Sequence, residues 1–193
     1  MTQQAIEPIR QAKRPLRADA VQNRARLLDV AYATFAELGF GAPVDEIARR
    51  AGVGAGTVYR HFPTKEQLFL AVVAVRVDQV LGRAEELLRT APPEEAFFTF
   101  FTETVDCGAT DQGFADALES SGIELPEVEE RFQEVVRVLF AQAQQAGTLR
   151  EDLVPEDVKF LMKGCFAAQR YLVDRSRGSF LMSVVLDGMR PRR

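Results

Sequence analysis

Between Gly54 and Lys65 the chain reads GAGTVYRHFPTK, and the groups there that can do chemistry are the hydroxyl of Thr57, the phenol of Tyr59, the guanidinium of Arg60, the imidazole of His61 and the ammonium of Lys65. They form no set for making or breaking bonds. His61 is the chain's only histidine and lies far in sequence from either cysteine, Cys107 or Cys165, and no Ser/His/Asp or metal-ligand grouping is recognisable. What the five share is the ability to donate hydrogen bonds or present a cation, which suits phosphate oxygens and base edges. Gly54, Ala55 and Gly56 precede them and carry almost no bulk, so a helix bearing this run can lie close in a major groove. No cofactor is expected.

Two short helices and the start of a third must position these groups. Val44, Ile47, Ala48 and Ala51 fall at i, i+3, i+4 and i+7, one side of a two-turn helix. Gly52, Val53 and Gly54 break it and reverse the chain, as a helix-turn-helix requires. Ala55, Val58 and Phe62 form the inward face of the next helix, which Pro63 stops. At 100° per residue Gly56, Thr57 and Arg60 then point outward, with Tyr59 and His61 on the flanks. Thr64 is placed to cap a helix starting at Lys65, whose N-terminus itself attracts phosphate.

This arrangement resembles the DNA-binding domain of the TetR family of bacterial transcriptional regulators. The matching residues are Ile47-Ala48, Ala51-Gly52-Val53, the run from Gly56 to Phe62, and Lys65-Glu66-Gln67-Leu68. The resemblance is strong over about residues 19–75 and architectural beyond. It implies an all-α homodimer: an N-terminal three-helix DNA-binding domain with a helix-turn-helix, followed by a helical domain for ligand binding and dimerisation. Many members have a Thr or Ser before the first of the two short helices, where it caps the helix and touches phosphate; here Ala42 and Pro43 stand there. Proline fits a helix's first turn.

Composition sets the frame. With 193 residues, 47% of them apolar, the chain can form one large or two small globular cores. The net charge of −4 excludes a generally basic coat, but residues 1–65 hold 10 Lys and Arg against 6 Asp and Glu, while residues 66–193 hold 14 against 22. A basic end on an acidic body suits a protein that offers one end to phosphate. The longest apolar run, Leu68 to Val75, is far short of the ~18 residues of a membrane span. With no charged-then-apolar leader at its start, the chain is expected in the cytoplasm, without a membrane partner. The two cysteines lie in apolar helical patterns and read as core filler.

The remaining segments give three expected units: a basic arm over 1–17, the DNA-binding domain over 18–64 and an effector-binding and dimerisation domain over 65–193. In the arm, Arg10, Lys13, Arg14 and Arg17 either lie along DNA or have no role. A helix over 19–38 should bury Val21, Ala25, Leu28, Tyr32, Phe35 and Leu38, with Arg24 near its start either solvated or on phosphate. A long helix from Lys65 to about Arg89 should join the two domains, ended by Pro92 and Pro93. Further helices are expected over about 94–109, 126–146, 155–174 and 179–189, with a short segment over 111–121.

Phe97, Phe98, Phe100 and Phe101 cannot share one helix face, so two neighbouring elements, or one element and a cavity, must cover them. As a ligand-lining wall, Phe97 and Phe101 would face Phe140, Met162, Cys165 and Phe166, with Gln169 as the polar group that orients a small, largely apolar effector. Core packing is the alternative. The helix opened by Pro155 has apolar residues on two sides: Val158, Leu161, Met162 and Cys165 on one, Phe160, Gly164, Ala167 and Tyr171 on the other. Both must be covered. The body supplies one cover, and a second copy, using also Phe180 and Val184, is expected to supply the other in a four-helix contact.

Three classes of function compete for these residues. A glycine-rich nucleotide loop at 52–56 would need a strand before it and a longer helix after it, and a helix precedes it, so catalysis is not expected. A helical adaptor for protein partners would account for the helices but not for a small, polar, basic outward face after Gly54. A regulator that binds double-stranded operator DNA as a homodimer, and is released by an effector, accounts for both.

Overall fold

The computed structural model describes residues 15–110, 112–171 and 175–192, and every element among them is an α-helix. In chain order these are α1 Pro15–Leu38, α2 Val44–Ala51, α3 Ala55–His61, α4 Lys65–Thr90, α5 Pro93–Thr110, α6 Gln112–Ser121, α7 Pro126–Gln145, α8 Pro155–Tyr171 and α9 Arg175–Met189. The all-α expectation holds, and so do the proline and glycine boundaries. Gly52 ends α2 in the left-handed region at φ 71°, and its N–H returns to the carbonyls of Ala48 and Arg49. A side chain is strained at that φ, so the turn into α3 depends on glycine. Pro43 enters α2 with no side-chain cap, while Thr64 caps α4 by accepting from the Gln67 N–H at 3.2 Å.

Two cores form around the length of α4. The first holds Leu27, Leu28, Ala31 and Phe35 of α1, the inward faces of α2 and α3, and Leu68, Phe69, Val72 and Val73 from the first turns of α4. It also draws Phe114 and Ala117 from α6, far along the chain. The crossing of α6 over α1 is close: a Cβ on Gly113 would stand 2.0 Å from the backbone oxygen of Ala36, so only glycine fits there. The second core holds Ala84 and Leu87 of α4, Val136, Leu139, Phe140 and Ala143 of α7, Val158 and Met162 of α8, and Met182 and Met189 of α9 around the α5 phenylalanines.

Several expectations change. In α1 the buried residues are Leu27, Leu28, Ala31, Thr34 and Phe35, whereas Val21 (70% exposed), Ala25 and Leu38 face solvent. At Val21 and Ala25 the helix extends N-terminally past the elements that could cover it, so its apolar period outlasts its core, while Leu38 is its last residue, beside the turn at Gly39. Thr34 is buried because its hydroxyl donates to the Val30 carbonyl at 2.8 Å. Cys107 is exposed and not core filler, although it follows Ala96 and Phe100 on one side of α5, because the cover those two have does not reach this later turn; Cys165 is half-buried, and burial pushes its thiol pKa up. Helix α1 starts at Pro15, within the expected arm, and α9 starts at Arg175, ahead of the expected residue 179. Arg10, Lys13 and Arg14 lie outside the described residues.

Candidate nucleic-acid interface and inner cavity

The face predicted to meet DNA assembles at the end of the first core. Val58 is fully buried and Phe62 nearly so, which fixes the rotation of α3 and turns Gly56, Tyr59, Arg60 and His61 to solvent, with Thr57 half-buried beside them. Gly54 caps α3 with φ −72°, and a Cβ on Gly54 or on Gly56 would meet nothing within 4 Å. Neither backbone conformation nor internal packing therefore calls for glycine at these two positions. What their smallness leaves free is space on the outside of the helix. Lys65 sits at the adjoining N-terminus of α4, its ammonium 4.8 Å from the centre of the Phe40 ring, and the Arg24 guanidinium lies 5.4 Å from the Phe62 ring at the end of α3. The structure thus brings Arg24, Thr57, Tyr59, Arg60, His61 and Lys65 around one short helix.

Electrostatics separates the cations of this region into two groups. Arg49 and Arg50 of α2 are neutralised: Arg49 pairs with Glu46 at 2.8 Å, and Arg50 bridges Glu46 at 2.7 Å and Glu37 of α1 at 2.5 Å. These guanidiniums hold the Glu46 carboxyl down at a pKa of about 2 and lower that of Glu37. The network ties α2 to α1. Among the described residues, Arg24, Arg26, Arg60 and Lys65 have no such carboxylate partner and remain available to phosphate. Their type and number in the sequence did not distinguish the two groups; only the fold places Glu37 against Arg50.

A cavity of about 820 Å³ opens between the two cores. Its wall includes Val73, Val77 and Val80 of α4, Phe114 and Leu118 of α6, Phe132 and Val136 of α7, and Met162 and Phe166 of α8. The α6–α7 connection closes one side with Ile123 and Leu125. Of the residues expected to line a ligand site, Met162 and Phe166 do so. Phe97, Phe101 and Phe140 are instead packed together in the second core, with Phe97 edge-on to Phe140 at a centroid distance of 6.1 Å, and Cys165 stays off the wall. The side chain of Gln169 lies outside the described residues. Sequence reading missed Arg76 and Phe114, which sit on this wall; the signal for Arg76 was a charge interrupting the apolar run of α4 between Val75 and Val77.

The predicted second apolar stripe of α8 faces outward. Phe160 is 68% and Tyr171 84% exposed, with Gly164 and Ala167 open between them, and Phe180 and Val184 of α9 are about half exposed at 53% and 51%. Among the described residues, no element of the same chain covers these side chains. Nor do the described residues contain a group of three or more possible metal ligands, or a helix long and apolar enough to cross a membrane.

Comparisons with known proteins follow the same division of the chain. Residues 27–72 match the bacterial regulatory proteins of the tetR family, and residues 92–191 match the C-terminal domain of SbtR-like transcriptional regulators. A TetR transcription regulatory protein from Mycobacterium vanbaalenii, known from its crystal structure, is 45% identical and aligns with a TM-score of 0.73 over 92% of this chain and 100% of that one. The HTH-type transcriptional repressor KstR2 of Rhodococcus jostii is 27% identical over 189 residues, which span 86% of this chain and 90% of the relative. The HTH-type transcriptional activator FasR of Mycolicibacterium smegmatis is 38% identical over 88 residues, and that match spans only 41% of this chain and 40% of FasR.

Proposed function

The chain belongs to the TetR family of bacterial regulatory proteins, and from that premise we propose that it is a repressor: a homodimer that holds a palindromic operator and is released when a small, largely apolar molecule enters the cavity. The family consists of transcriptional regulators and not enzymes. In this reading Thr57 and Arg60 reach base edges or phosphate, with Gly54, Ala55 and Gly56 allowing close approach. Tyr59, His61, Lys65 and Arg24 hold phosphate. The outward stripe of Phe160, Gly164, Ala167 and Tyr171, with Phe180 and Val184, packs on its copy.

The observation that carries ligand response is shared membership. Val73 and Phe114 belong at once to the core under the DNA-binding face and to the cavity wall. The Phe114 ring touches Tyr32 at 5.0 Å and Phe69 at 5.2 Å, and Phe69 meets Phe40, on which Lys65 lies. A molecule that displaces Phe114 must therefore repack the floor of α1 and α4. In a dimer the two readers are held to the DNA repeat, half-site centres about 34–36 Å or more apart, so a small shift at each misaligns them.

Gel-shift assays with genomic fragments identify the operator, and transcription in vitro from it distinguishes repression from activation, both of which occur among the named relatives. Titration of a candidate effector with and without operator then tests the coupling. Linkage requires each ligand to weaken the other by the same factor, typically about 5- to 150-fold. Equal effector affinities in the two titrations would exclude that molecule as an inducer.

A further inference from the structure

We infer that the effector carries an anionic group and that Arg76 of α4 is the residue that receives it, an inference that rests on the cavity being the effector site. Arg76 lines the cavity among Val73, Val77, Phe114 and Leu118 and is half-buried. Its guanidinium lies flat against Tyr32 of α1, with Cζ 3.4 Å from the ring centre, and donates to the Gln79 side-chain oxygen at 3.0 Å. No carboxylate among the described residues pairs with it. A guanidinium carries five donors, and the acceptor that meets it among the described residues is the neutral side-chain oxygen of Gln79, which supplies no counter-charge.

The other charges of the cavity do not fill this place. Lys159 is paired with Glu129 and Arg137 with Glu134, so both cations are already neutralised. Glu124, Glu156 and Lys163 line the cavity but are exposed, where water screens them. Arg76 is the half-buried charge without a carboxylate partner among the described residues, and it stands beside Val73, Val77 and Phe114 on the wall. A ligand whose apolar body fills the space along α4 and α7 and whose carboxylate, sulfonate or phosphate meets Arg76 satisfies both features; a neutral hydrocarbon leaves the half-buried guanidinium without a counter-charge. Because Arg76 rests on Tyr32, and Tyr32 on Phe114, the anion would engage the same side chains that join the cavity to the DNA-binding core.

A matched pair of fluorescent probes tests this: anilinonaphthalenesulfonate and phenylnaphthylamine share one aromatic body and differ in the sulfonate. Affinities of both are measured for the wild-type protein, Arg76→Gln and Arg76→Lys, each checked by thermal melting. The expected result is that the ratio of sulfonate to neutral-probe affinity falls about tenfold or more in Arg76→Gln, the usual weight of a hydrogen bond to a charged group. Arg76→Lys, which keeps the charge and loses the planar fork, should recover part of that ratio. A ratio unchanged in both variants overturns the assignment of Arg76 while leaving the cavity as a binding site. Failure of the wild-type protein to bind either probe overturns the cavity reading itself, and this inference with it.

Discussion

At the N-terminal end the apolar residues of α2 and α3 turn inward, and Gly56, Tyr59 and Arg60 are left outside with Thr57 half-buried beside them; at the C-terminal end α8 and α9 turn Phe160, Tyr171, Phe180 and Val184 out to solvent. The first surface is finished by polar groups and suits a charged, hydrated partner. The second leaves apolar area in water and is completed only by another apolar face. One molecule therefore carries two unfinished surfaces of opposite chemistry, and the same backbone rule, burial of one helical stripe, leads to both. What differs is whether the other side of the helix is polar.

The strongest way to break this comparison is to place a charge on each side. Val58→Asp should destabilise the protein by about 4 kcal/mol or more, because a carboxylate would be buried without a partner, and operator binding should vanish. Chemical denaturation followed by circular dichroism measures it. Ala167→Glu should leave each chain folded but weaken self-association by at least ~30-fold, with weak operator binding, since a charge then sits in the centre of an apolar contact. Sedimentation at micromolar concentration decides the matter; a wild-type protein that sediments as a monomer would remove the reason for the exposed stripe.

Finer tests sharpen the picture at the DNA end. Lys65→Ala should weaken all DNA sequences alike and flatten the salt dependence by roughly two units of slope per dimer, because each subunit gives up one ammonium–phosphate pair. An unchanged slope would show that the Lys65 ammonium does not neutralise a phosphate. The smallest effect concerns the acid side of stability. Glu46 and Glu37 have folded pKa values below their ordinary 4.5, so their pairing stabilises the fold above about pH 4.5 and is lost as pH falls toward 2. Arg50→Met should make stability less dependent on pH in that window, as urea midpoints between pH 5 and 3 would show.

Much of the helix-turn-helix was legible because its rules are local. The spacing of Val44, Ile47, Ala48 and Ala51, the turn at Gly52 and the cap at Thr64 each involve residues within a few positions of one another, and the structure places all of them as the spacing requires. The outward stripe on α8 was legible for the same reason. The cavity was not, because its wall joins α4, α6, α7 and α8, and no periodicity tells which of many apolar residues surround empty space. Phe97, Phe101 and Phe140 have the composition of a ligand wall and the surroundings of a core. Val21 shows the converse failure: helical periodicity continues beyond the point where any neighbouring helix remains to cover it.

The recruitment of α6 into the first core bears on how this protein can be recombined. A fragment ending near residue 64 would lack Leu68, Phe69, Val72 and Val73 together with Phe114 and Ala117, leaving Phe35 without the Phe69 ring that packs edge-on against it. A chimera that transplants this DNA specificity onto another regulator must therefore bring the first half of α4, and its new body must offer a glycine where α6 crosses Ala36 and an aromatic ring one residue later, as Gly113 and Phe114 do here. Under the proposed reading, operator specificity should be exchanged most easily by altering the outward residues of α3 in place, because Gly56, Tyr59 and Arg60 are exposed and the space outside Gly54 and Gly56 is open.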